Sequence, residues 1–246
     1  MHEFSWFHLV PAVREGFPFL GQREASWVIP TSWMICLLLV LLAVLARLGL
    51  EKARRREGIE ALVPDRGLTI RNLMEIYVQA LFDLAESTLG RADARLFFPL
   101  VGTLFIYILA SNLVSLIPGF LPPTSNFSAN LSLALLVFLV FNVAGLRRNG
   151  IGYVKHLWGP IALMGPFFLV IELISLCIRP ISLSLRLAGN LFGDHMVFGI
   201  MSDLVPPLVP IPFLGLGMFV SFIQALVFTL LTTVYIGLAV AHGEEH

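Results

Sequence analysis

Apolar residues run along this chain in blocks long enough to exhaust a lipid bilayer, and polar residues fall between the blocks or on narrow faces of them. No charged side chain occurs from Ala25 to Ala46, a stretch that includes MICLLLVLLAVLA. About 20 apolar residues cross a bilayer as a helix, so a first span is expected over 26–47, after an outer segment 1–25. Residues 68–90, LTIRNLMEIYVQALFDLAESTLG, are different: apolar positions recur every three or four residues while Arg71, Glu75, Asp83 and Glu86 take other faces. That pattern predicts an amphipathic helix lying on the membrane surface. Between Arg95 and Arg147 the chain is again uncharged, broken by PGFLPPTSNFSAN. The prolines and glycine there mark a turn, which gives two spans, 96–118 and 129–146. A long apolar segment, 159–203, carries Glu172, Arg179, Arg186, Asp194 and His195, and beyond the turn VPPLVPIPF a last span is expected over 208–242. The fold class expected is an all-α integral membrane protein: a single membrane domain, 1–246, of five transmembrane helices and one amphipathic surface helix.

Composition agrees. The chain is 57% hydrophobic and 13% charged, against roughly 45–50% and about 25% for a soluble domain. Sixteen basic and sixteen acidic residues cancel, leaving no basic excess with which to bind nucleic acid. Charge placement matters more than charge total. Arg47, Lys52, Arg54, Arg55 and Arg56 follow the first span, and Arg147, Arg148 and Lys155 follow the third. Basic loops stay in the cytoplasm, so the N-terminus is expected outside and the C-terminal GEEH inside. The N-terminus lacks the signal-peptide pattern and is expected to be retained. Cys36 and Cys177 sit in apolar stretches without CxxC or His-paired spacing. They read as small core residues, with no disulfide, metal or cofactor expected. Two glycosylation-like triplets, Asn126-Phe-Ser128 and Asn130-Leu-Ser132, are too common by chance to carry an argument. No internal repeat supports an inverted-repeat transporter.

Ionisable groups at bilayer depth cost several kcal/mol each and mark either an ion path or a paired site. At about 100° per residue, Glu172, Ser175, Arg179, Ser182, Asn190 and Gly193 all fall within about 40° of Arg186. This polar, small-residue stripe must meet water or protein. Arg186 lies at least two turns from either end of its segment and cannot lose its charge; it faces an ion path or a buried partner. Arg179 either belongs to the stripe or reaches toward headgroups beside Pro180. Glu172 either pairs with Arg179 or lines a wet path. Asp194 and His195 point elsewhere, toward the last helix, and His195 is a proton relay or a satisfied core group. In the last span Gly217, Ser221, Gln224, Phe228, Leu231 and Tyr235 share a face, on which Gln224 serves a path or a helix-to-helix hydrogen bond. Asn112 and Ser115 line a polar entrance or cap the second span.

RPISLSLRLAGNLFGDHMVFG (179–199), FIQALVFTLLTTVYIGLA (222–239) and PPTSNFSANLSLAL (122–135) closely resemble subunit a of rotary F-type ATP synthases. The likeness extends to the order of spans and basic loops; residues 1–25 and 51–67 match only loosely. It implies that long tilted helices built from 159–203 and 208–242 pack against a ring of c-type proteolipids, with b-type peripheral stalk subunits as further partners. It implies that Arg186 is the stator charge facing the ring carboxylate. It places Asn190, His195 and Gln224 on an outer half-channel and Glu172 and Ser175 on an inner one; Asp194 and Asn112 are the further candidates for the outer path. Some relatives carry a carboxylate at the position of His195, a histidine at that of Gly217 and an acidic residue at that of Ser115. The protein so implied is not an enzyme by itself; it couples proton flow to rotation and sits in a bacterial inner membrane. An independent proton-coupled channel or transporter, and an anchor subunit with no ion path, remain the alternatives.

Overall fold

The computed structural model describes residues 27–54, 69–117, 120–150, 152–153, 165–204 and 210–241. Every regular element among them is helical: α1 (Val28–Arg54), α2 (Ile70–Leu89), α3 (Arg91–Val114), α4 (Phe127–Asn149), α5 (Gly165–Leu204) and α6 (Pro210–Ala241), with a 3-10 turn at Pro123–Ser125. Five of them, all but α2, contain stretches long and apolar enough to cross a membrane. The outer segment 1–25, Lys155 and the GEEH end lie outside the described residues.

Local chemistry sets the ends of these helices. Thr69 accepts a hydrogen bond from the Asn72 amide at the start of α2, and Asn126 accepts one from the Ser128 amide at the start of α4; both supply the oxygen that free N-terminal amides need. Gly90, at φ 75°, ends α2 and opens α3 with no linker between them, a backbone conformation that favours glycine. Gly150, at φ 53°, ends α4 in the same way. Arg147 and Arg148 occupy the last turn of α4, where cations offset the helix dipole.

Packing fixes the directions of the helices. Arg148 on α4 pairs with Asp93 at the start of α3 at 2.7 Å, and Asn149 donates to the Ala239 carbonyl near the end of α6 at 3.0 Å. The starts of α3 and the ends of α4 and α6 therefore share one end of the bundle. At the other end Thr124 donates to Asn112 and Asn130 donates to the Thr124 carbonyl, at 2.9 and 2.7 Å, all three residues being buried. These bonds clamp the α3–α4 hairpin. The core between the two ends is formed by Leu104 and Ile108 of α3, Val137 and Phe141 of α4, Leu183 and Leu187 of α5, and Phe228 and Ile236 of α6. The amphipathic α2 folds back along α3, with Phe82 on Phe98 and Tyr77 on Phe105, and the Tyr77 hydroxyl donates to the Gly102 carbonyl.

The two cysteines correct the expectation of core burial, since both are exposed. Hydrophobicity alone does not select the inside of a membrane protein, because lipid is as apolar as leucine. Cys36 shares the outer face of α1 with Leu37 and Leu41, and Cys177 that of α5 with Ile174 and Ile181, all of them exposed.

Candidate functional site

The polar stripe of α5 does not coincide with the buried face of that helix. Leu176, Pro180, Leu183, Leu187 and Leu191 are buried, recurring every three or four residues. The opposite face, with Ile174, Ile178, Ile181, Leu185 and Phe192, is exposed. Glu172, Ser175, Arg179, Ser182, Arg186 and Gly193 fall between the two and are half-buried, while Asn190 is exposed. The stripe thus runs along the seam where α5 emerges from its own bundle. Pro180 interrupts the amide ladder inside α5, and buried Ser184 donates to its carbonyl at 2.8 Å.

Arg186 sits near the middle of α5, and neither a hydrogen bond nor an ion pair engages it among the described residues. Glu172 lies fourteen residues back along the same helix, about 21 Å at 1.5 Å per residue. Arg179 behaves differently. Its guanidinium carbon stands 5.2 Å from the Tyr235 ring centre and 6.0 Å from that of Phe141, so the charge turns inward onto the faces of α4 and α6. The expected alternative, an ion pair with Glu172, is not formed among the described residues.

On the far half of α5, Asn190 donates to the Gln224 side-chain oxygen on α6 at 2.7 Å. Gln224 is buried, and its own amide nitrogen has no hydrogen-bond partner among the described residues. Beside this pair a cleft of about 480 Å³ opens between α5 and α6, lined by Gly189, Asn190, Gly193, Asp194, Phe219, Val220 and Ile223. The cleft brings Asn190 and Asp194 together. The backbone of His195 continues α5 one residue beyond Asp194; its side chain lies outside the description. Asn112 is buried and bound to Thr124, and Ser115 donates back to the Asn112 carbonyl. Gly217 packs on Leu116, whose Cδ2 lies 2.9 Å from where a Cβ would stand.

On the near half, a group that the sequence reading passed over joins Glu172 and Arg179. Tyr153, just past the Gly150 turn, donates to the Asn142 side-chain oxygen at 3.0 Å. Burial pushes its phenol up; Arg179 pulls it down and Glu172 raises it again, which places both charges within electrostatic reach. Phe141 and Tyr153 were invisible as site residues because their connection to α5 is purely tertiary. The available signal was an arginine on the polar stripe of an apolar helix, a charge that must find some partner at membrane depth.

A bundle of membrane-spanning helices with a half-exposed polar seam, a fixed positive charge at its centre and a separate polar cluster on each side of that charge defines an ion-translocating integral membrane protein. Residues 31–237 match the family described as ATP synthase A chain. Over 217 residues the chain is 44% identical to ATP synthase subunit a 3 of Pelobacter propionicus, covering 88% of each chain. It is 37% identical to ATP synthase subunit a of Sorangium cellulosum over 96% of this chain and 94% of that one. With the subunit a of Bdellovibrio bacteriovorus it shares 36% identity over 97% and 98%. The chain belongs to the ATP synthase A chain family, the proton-translocating stator subunit of F-type ATP synthase, which moves ions rather than catalysing covalent chemistry. It therefore works in a complex with other subunits of the membrane sector.

Proposed function

We propose that the chain provides two offset half-channels that meet a rotating ring of c-type proteolipids at Arg186, with b-type stalk subunits holding it still in a bacterial inner membrane. The observation that carries this reading is Arg186 itself: a permanent charge, half-buried on an open seam, with no internal partner among the described residues. So expensive a group calls for a partner on another chain. The outer path passes the cleft at Asn190, Asp194 and Gln224 with His195 beside it. Asn112 serves the outer rim, where Thr124 fixes its carboxamide. Glu172 and Ser175 line the inner path.

The mechanism follows from charge physics. A proton from the outer path neutralises a ring carboxyl group, which can then face lipid at far lower cost than its anion. The ring turns until that group approaches Arg186, whose charge favours the ionised form and drives the proton inward. The same charge bars a proton from crossing directly between the paths. Each elementary charge moved contributes about 2.3 kcal/mol per 100 mV of membrane potential.

Arg186→Ala should abolish proton-driven ATP synthesis while assembly persists and passive proton leak is retained or increased. Arg186→Lys should also fail substantially, because lysine is a strongly hydrated point charge that can deprotonate when buried. The measurement is ATP synthesis and passive proton flux in vesicles at matched complex levels. Wild-type synthesis by the alanine variant would return Arg186 to a structural role. Proton conduction by the purified chain without a ring would favour an independent channel.

A further inference from the structure

A cavity of about 240 Å³ lies between α1, α2 and α3, with Leu39 and Ala43, Met74, and Phe98, Pro99 and Ile106 among its walls. It opens on the outside of the bundle, where Ala43, Pro99 and Thr103 are exposed. Both hydroxyl donors in the walls are already spent: Tyr77 donates to the Gly102 carbonyl and Thr103 to the Pro99 carbonyl. A bound water needs two to four polar partners, so hydrocarbon fits this groove better than water does. The groove also separates the first span from the rest, and α1 is the least buried of the spanning helices.

One charge stands at the mouth. At about 100° per residue, Arg95, Pro99, Gly102 and Ile106 fall within about 40° of one another on α3, so the arginine continues the wall of the groove by one turn. Arg95 is exposed, and neither a hydrogen bond nor an ion pair engages it among the described residues. The acidic groups around it are taken. Asp93, two residues earlier, is held by Arg148 at 2.7 Å, and Glu51 and Glu75 on the neighbouring helices are held by Arg47 and Arg71 at 3.1 and 2.7 Å. Ile106 lies eleven residues beyond Arg95, about 16 Å along the helix, which matches one leaflet of a hydrocarbon core about 30 Å thick. A cation at one end of an apolar trough one leaflet deep has the dimensions and the charge order of a lipid.

We propose that this groove binds an anionic phospholipid, its phosphate on Arg95 and one acyl chain laid between α1 and α3 along Pro99, Gly102 and Ile106. The guanidinium fork engages a phosphate in bidentate fashion, and basic positions between membrane helices favour anionic head groups. The chain fills the space that the side chains of α1 and α3 leave open, and so ties the first span to the bundle.

The test uses the assembled ATP synthase in phosphatidylcholine vesicles that carry a trace of either phosphatidylglycerol or phosphatidylcholine, each with the same diazirine on one acyl chain. After illumination, labelling of Thr103 and Ile106 is mapped by peptide mass spectrometry and expressed per complex. Phosphatidylglycerol should label these positions about fivefold more than phosphatidylcholine, the factor expected of one arginine near an anionic head group. Arg95→Gln should erase that preference and Arg95→Lys should keep most of it. Ala43→Phe, which fills the groove from α1, should remove labelling by both lipids. Equal labelling by the two lipids in the wild type would mean that Arg95 merely reaches for the interface above bulk lipid, and would overturn the proposal even if every variant failed to assemble. A preference that survives Arg95→Gln would overturn it as well, as would the absence of lipid labelling at Thr103 and Ile106 in the assembled complex, since another subunit would then cover the groove.

Discussion

Two glycines that a sequence cannot tell apart have opposite tolerances, because of what surrounds them. At Gly217 an added Cβ would meet the far end of Leu116 at 2.9 Å, and a leucine methyl can swing aside. At Gly145 the neighbours are an aromatic ring at 2.7 Å and a backbone carbonyl at 3.1 Å, neither of which yields without moving a helix. Overpacking of a fitted site costs about 1–3 kcal/mol, so Gly145→Ala should lower the thermal stability of the purified complex clearly while Gly217→Ala leaves it nearly unchanged. Comparing the two melting curves decides it, and equal losses would mean that α4 and α6 are looser than their contacts imply. Arg179 teaches the same lesson with charge. Its place on the stripe was legible from spacing, but its choice between headgroups and protein was not. Phe141 and Tyr235, far apart in sequence, made that choice by offering two ring faces.

Helices were legible to the extent that hydrophobicity stops where they stop. The second span was expected from residue 96, yet α3 begins at Arg91. A helix continues past the apolar core whenever Gly90 and the Asp93–Arg148 pair satisfy its polar end. Likewise α1 carries on through Arg47 and Glu51, which bond to one another at 3.1 Å along one helix face. The period of α2 predicted an apolar face; it did not reveal that Tyr77 reaches a backbone carbonyl on α3. That contact yields a sign for pH. Burial pushes the Tyr77 phenol up to about 12 from its usual 10. The folded state therefore holds the proton more tightly, and the stabilisation is complete below pH about 10 and lost as pH rises toward about 12. Wild-type protein in detergent should lose heat resistance across that alkaline window more steeply than Tyr77→Phe, with circular dichroism as the readout. Parallel losses would remove Tyr77 as the cause.

At the scale of the whole molecule, the two polar clusters on α5 lie on opposite sides of Arg186, and the helix that joins them is continuous from Gly165 to Leu204. Forty residues at 1.5 Å each make about 60 Å of helix, twice a hydrocarbon core of about 30 Å, so α5 must tilt strongly or project beyond the bilayer. Tilt has a functional consequence, because a stripe on an inclined helix approaches the two water phases at laterally different places. Asp93, Arg148, Tyr153, Glu172 and Arg179 gather toward one end of the bundle, while Asn112 and Thr124 mark the other. The orientation proposed above, with the basic loops inside, puts the first end on the cytoplasmic side. Cysteine introduced at Ser125 should then be labelled by an impermeant thiol reagent from the outer side and cysteine at Gly243 from the inner side. The sharper measurement is within α5: cysteine at Ser175 should react only from the inner side and cysteine at Asn190 only from the outer one, on either side of Arg186. Reactivity of both positions from the same side would mean one continuous pore, which would dissipate the gradient and overturn the proposed coupling at Arg186.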